Sequence, residues 1–123
     1  MKIYYDSKTG NTKRFCNKLP YDSDSIGEVE TITSPFILVT HATGFGNVPL
    51  ETIDFLQKNA EAVHTYMKGV ACSGNVNWGS NYAKPADIIS KKYNVPVILK
   101  FEMFGTEKDV KDFVEGVEGI ETR

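Results

Sequence analysis

The chain has little cysteine, little histidine and no run of charge of one sign, and each shortage closes off a class of function. Its two cysteines, Cys16 and Cys72, stand far apart among 123 residues, with neither the C-x-x-C spacing of a redox dithiol nor the paired spacing of a metal site. They read as reduced thiols of a cytoplasmic protein. The two histidines, His41 and His64, have no nucleophile or carboxylate patterned around them, so neither a bound metal nor a Ser-His-Asp arrangement is expected. Fourteen Lys and Arg against sixteen Asp and Glu leave a formal net charge of -2 with no basic stretch, which argues against nucleic acid or an anionic membrane as partner. No apolar segment approaches the ~20 residues of a membrane span, and no cationic leader precedes the first strand. A soluble, unexported, cytoplasmic protein is expected.

What is present is an alternation of strand and helix patterns from end to end, which predicts an α/β fold with helices on both faces of a parallel sheet. A length of 123 residues suits one domain spanning 1–123, without a second domain to close over a substrate. The first strand is read as Lys2 to Tyr5, followed by a helix capped by Asn11 or Thr12 that carries Phe15 and Leu19. Glu28 to Ile32 alternates charged and apolar residues as an edge strand does. Phe36 to Thr40 is apolar almost throughout, as in a central strand buried on both faces. Pro49 opens a helix with Leu50, Ile53 and Leu56 on one face, continuing, with a break, toward Met67. Gly69 to Cys72 forms a fourth strand, Ala86, Ile89 and Tyr93 mark the next helix, and Pro96 to Phe101 is the fifth strand. Thr106 with Asp109 resembles a capping box ahead of Val110, Phe113, Val114 and Val117. Five strands so connected predict a doubly wound sheet in the order 2-1-3-4-5, with ligands at the carboxyl ends of the strands.

Three loops at that edge have unusual compositions. Ser7-Lys8-Thr9-Gly10-Asn11-Thr12 joins a strand to a helix through hydroxyl residues and one glycine, an arrangement whose backbone N–H groups can converge on a phosphate. It is neither a Walker A loop nor the three-glycine dinucleotide fingerprint, which narrows the ligand to a mononucleotide. The plainer alternative is that Ser7, Thr9 and Asn11 only cap the helix, and Lys8 and Lys13 read by themselves as solvated charges. Thr43-Gly44-Phe45-Gly46-Asn47 sets two glycines around an aromatic, so that its backbone can approach a flat ligand or take either sign of φ; an ordinary turn is the alternative. Ser73 to Tyr82 is a polar loop holding the single Trp, Trp78, which would either stack on a planar heterocycle or cap the core. Tyr82 stands in this loop or at the start of the next helix. Cys72 reads as a small buried apolar residue, His64 as a surface residue, and His41 has no role that its neighbours define.

On these three motifs, extended to Val48-Pro49 and joined by Lys100-Phe101-Glu102-Met103-Phe104-Gly105-Thr106, nearly the whole chain resembles the flavodoxins and, within them, the NrdI family of partners to class Ib ribonucleotide reductase. The resemblance implies FMN, with its phosphate at Ser7, Lys8, Thr9, Gly10, Asn11 and Thr12. It places the isoalloxazine ring between a second loop of Thr43, Gly44, Phe45, Gly46 and Asn47 and a third of Ser73, Gly74, Asn75, Asn77, Trp78, Gly79 and Tyr82. Gly44 would lie near flavin N5 as a tuner of its redox behaviour, and no protein residue would be catalytic. The reduced flavin would react with dioxygen and supply a superoxide-type oxidant to the dimanganese site of the small reductase subunit, NrdF, where a tyrosyl radical forms. A flavin reductase or similar donor would supply its electrons.

The mild charge is consistent with that resemblance, since weak repulsion of an anionic reduced flavin should leave its second one-electron potential less negative than in strongly acidic carriers. A general electron-transfer flavodoxin is the alternative that shares fold and cofactor. A response regulator would need a phosphoryl-accepting Asp where Thr40-His41-Ala42 stands, and a low-molecular-weight tyrosine phosphatase would need a Cys in the first loop, where there is none.

Overall fold

The computed structural model describes residues 1–122. Five strands, β1 (Lys2–Tyr5), β2 (Ser23–Ser25), β3 (Phe36–His41), β4 (Met67–Gly74) and β5 (Val97–Glu102), form one parallel sheet in the order β2-β1-β3-β4-β5. The helices are α1 (Asn11–Asn17), α2 (Leu50–Lys58), α3 (Ala60–Tyr66), α4 (Lys84–Tyr93) and α5 (Glu107–Glu121).

The central strands are apolar on both faces because each face meets a separate core. Successive side chains alternate across a strand, so Phe36 and Leu38 of β3 join Tyr4, Val70 and Cys72 on one side, beneath Phe55 and Leu56 of α2 and Ile89 of α4. Ile37 and Val39 join Ile3, Tyr5 and Ala71 on the other, beneath Phe15 of α1 and Phe113 and Val117 of α5. Burying an aliphatic or aromatic side chain of this size stabilises by about 1.5–3 kcal/mol. Phe15 stacks on Phe101 with ring centroids 4.1 Å apart, which fixes α1 against β5.

Several expectations need correction. The edge strand is not Glu28 to Ile32 but Ser23–Ser25, a polar segment with no apolar alternation that pairs Ile3 with Ser23 and Tyr5 with Ser25. The Lys2 ammonium beside Asp24, at 2.7 Å, and Asp22 helps hold that edge, and these carboxylates raise its pKa. Residues 26–28 are a short 3₁₀ turn, after which Ile32 still reaches the core. Neither Asn11 nor Thr12 caps α1: Gly10 precedes the helix at φ +92°, and the Ser7 hydroxyl takes the Lys13 N–H at 3.2 Å instead. Leu50 does not share the buried stripe of α2, which is Thr52, Phe55 and Leu56; at the first helical position it is 79% exposed. The break before Met67 falls at Asn59, whose side-chain amide donates to the Phe55 carbonyl at 2.9 Å and stops α2. The capping box forms as expected, with the Thr106 hydroxyl accepting from Asp109 N–H and the Asp109 carboxylate from Thr106 N–H.

Candidate functional site

Because every strand runs in the same direction, the loops after β1, β3, β4 and β5 all emerge at one edge of the sheet. In the first, the amides of Lys8, Thr9, Gly10, Asn11 and Thr12 find no acceptor among the described residues. Consecutive free N–H groups with hydroxyls beside them are the donor set an anionic group requires.

The second loop is a tight turn closed by Thr43 N–H to the Asn47 carbonyl at 3.0 Å and Asn47 N–H to the Thr43 carbonyl at 2.8 Å. Gly44 at φ +55° and Gly46 at φ +97° let the chain reverse, and a Cβ on Gly46 would stand 3.0 Å from the Asn81 carbonyl oxygen. The turn pushes Phe45 into solvent, 72% exposed.

In the third loop the Asn75 side chain accepts from Asn77 N–H at 2.9 Å and starts a 3₁₀ turn over Val76–Asn81, kinked at Gly79. Trp78 is 43% exposed and meets Phe45 edge to face, so it does not cap the core. Tyr82 lies just before α4 and packs against the core; burial, then the charge of Glu102, pushes its phenol pKa up.

The first three loops enclose a cavity of about 240 Å³ together with the segment after β5. Of the residues expected at the site, Lys8, Thr9, Asn11, Thr12, Thr43, Ser73 and Gly74 line it. Ser7 and Gly10 shape the first loop from outside the lining, and Gly44, Phe45, Gly46, Asn47, Asn75, Asn77, Trp78, Gly79 and Tyr82 belong to the two loops whose tips touch through Phe45 and Trp78.

Three lining residues stand outside the set expected to bind the cofactor, among them His41, whose role the sequence left open. His41 ends β3 and Ala42 follows it, and Met103 follows β5 with φ +52° and 61% of its surface exposed. The Ser73 hydroxyl donates to the Met103 carbonyl at 3.0 Å, and Val76 N–H donates to Glu102 Oε2 at 3.3 Å, so the β5 end is a fourth wall. The signal available was its position, since the loop after every parallel strand opens on the same edge.

A larger cavity, about 610 Å³, lies beside α2, but its lining includes Asp6, Glu30, Glu51 and Asp54 against the single cation Lys58. That charge would repel a phosphate. Burial lifts both thiols, Cys16 and Cys72, to a pKa of about 12, which leaves them inert. Among the described residues no cluster of His, Cys, Asp or Glu could hold a metal, and no helix is long and apolar enough to cross a membrane.

The family described as "NrdI Flavodoxin like" matches residues 3–115. The chain belongs to this family. It is 47% identical to the protein NrdI of Bacillus licheniformis over 124 aligned residues, covering all of this chain and 92% of that one. It is 43% identical to the NrdI of Macrococcus caseolyticus over 121, covering 98% and 91%. Among solved structures, a short-chain flavodoxin associated with a non-canonical PDU bacterial microcompartment superposes with a TM-score of 0.72 at 17% identity, covering 98% of this chain and 95% of that one. Oxidised flavodoxin 1 from Bacillus cereus gives 0.65 at 18%, covering 99% and 97%. At such identities the two structures speak to the flavodoxin fold alone. For an NrdI-family chain a flavin is the cofactor class, and the donor-rich first loop, the φ-positive turn and the exposed aromatics fit one.

Proposed function

We propose that this NrdI-family chain binds FMN and uses it to activate the small subunit of a class Ib ribonucleotide reductase. The observation that carries the reading is the meeting of unpaired amides at residues 8–12 with two aromatic-bearing loops at one sheet edge, in a member of this family. In it, the first loop binds the phosphate through its amides and hydroxyls. Thr43 to Asn47 and Ser73 to Tyr82 hold the ring, with Phe45 and Trp78 shielding it from water and Gly44 close to N5. When bound and reduced, FMN supplies electrons to dioxygen, giving a superoxide-type oxidant for the dimanganese site of NrdF. A flavin reductase or comparable donor restores the reduced state.

The test has two stages. Protein mixed with FMN and freed of excess should keep a yellow flavin spectrum, and a colourless product sinks the reading. Reduced protein, dioxygen and manganese-loaded NrdF should then yield a tyrosyl radical by electron paramagnetic resonance. A flavin-bound protein that gives no radical with a competent NrdF is an electron carrier instead.

A further inference from the structure

His41 is held in one orientation. Its Nδ1 stands 3.0 Å from the Asp6 backbone carbonyl oxygen, and an oxygen of that kind only accepts, so Nδ1 carries the hydrogen. Nε2 makes no hydrogen bond among the described residues, and the half-buried ring lines the same cavity as Lys8, Thr9, Asn11 and Thr12. When neutral, Nε2 is an acceptor and offers an anion nothing; when protonated, it is a charged donor.

Building on the FMN reading above, we propose that His41 is a phosphate-binding residue whose protonation tightens FMN binding, acting from the strand end adjacent to the first loop. Few charges compete with it. On the β1 side, Asp6 has Oδ2 taken by the Thr52 hydroxyl at 2.6 Å, and Lys8 is the other ionisable residue of the lining. The neighbouring strand end brings Ser73 and Gly74, and the segment after β5 brings Met103, none of which titrates near neutrality; Glu102, beside it, accepts from Val76 N–H. A protonated imidazole attracts the phosphate and a neutral one does not, so affinity rises as pH falls.

The test is titration of FMN and riboflavin into the apoprotein, wild type and His41→Gln, followed by flavin fluorescence at pH 6.5, 7.5 and 8.5. The phosphate has its own second ionisation near pH 6, common to both proteins, so the ratio of their affinities isolates the imidazole. For FMN that ratio should rise roughly fivefold from high to low pH, the difference between a neutral and a charge-assisted hydrogen bond, and for riboflavin it should stay flat. A flat FMN ratio in proteins that bind FMN overturns the role of His41 alone. An equal rise for riboflavin overturns it too, because the ring and not the phosphate is then the partner. If neither protein binds FMN, the cofactor reading falls and this inference with it. Should the variant not fold, the wild-type complex still decides: the ³¹P resonance of bound FMN and the ring proton resonances of His41 should titrate with a common midpoint, and separate midpoints overturn the proposal.

Discussion

Phe45 and Trp78 stand edge to face with ring centroids 5.2 Å apart and planes at 90°, although their loops follow different strands. A planar cofactor held between the two loops has to part or turn this pair. Because Trp78 is the sole tryptophan, its fluorescence reports the event directly: FMN should quench it with the same midpoint as it fills the site. Trp78→Ala should weaken FMN binding by about 1–3 kcal/mol, as loss of a stacking aromatic does, while the melting temperature hardly moves because the side chain is largely outside the core. Unchanged affinity in a fluorescence titration would remove Trp78 from the site.

The turn before α2 allows a sharper comparison. At Gly44, φ is +55° and the nearest atom to an added Cβ is the flexible Asn47 side-chain nitrogen at 3.1 Å. A β-branched residue is strained at that φ, so Gly44→Val should cost about 1–3 kcal/mol in stability and shift the midpoint potentials of the flavin-loaded protein. Potentials identical to wild type in a redox titration would take Gly44 out of the tuning role.

Beneath the site, Thr52 links two strand ends: its hydroxyl donates to Asp6 Oδ2 at 2.6 Å and lies 2.8 Å from the Thr40 hydroxyl, all buried. Thr52→Val leaves a carboxylate short of a donor. The expected loss is about 1–3 kcal/mol in urea unfolding, and a variant as stable as wild type would mean that the network adds no net stability.

The cysteines give a prediction with a pH direction. Burial raises both thiols from 9.0 to about 12, so in the folded protein they remain protonated where the unfolded chain would ionise. A raised acid stabilises the fold fully below the unfolded value, and that contribution is lost as pH climbs from about 9 toward 12. Stability measured by denaturation should therefore fall across that range. A disulfide-exchange reagent at pH 8 should modify neither thiol until the protein is unfolded, and rapid labelling of the native protein would contradict the burial.

Much of this architecture was legible because the buried strands and amphipathic helices carry their own periodicity. Phe36 to Thr40 could be read as central since both of its faces are apolar, and the capping box at Thr106 is a local hydrogen-bond pattern that needs no tertiary partner. Ser23–Ser25 was illegible because it is a strand only by pairing with β1, and three polar residues advertise no buried face. Leu50 misled because helical spacing does not say where a core ends. At the site, glycine, hydroxyl and aromatic residues marked the loops, whereas His41 and Met103 acquire their place from strand order and from contacts to Asp6 and Ser73 across about 30 residues of chain.

Gly46 and Gly74 lean on one corner: an added Cβ would strike the Asn81 carbonyl oxygen at 3.0 Å from the first and the Ala83 amide nitrogen at 2.7 Å from the second. Ala83 itself is in the left-handed region at φ +46°, just ahead of α4. The loops after β3 and β4 thus share an anchor, and alanine replacements at 46 and 74 should be non-additive, since whichever methyl first displaces that corner has already made room for the other.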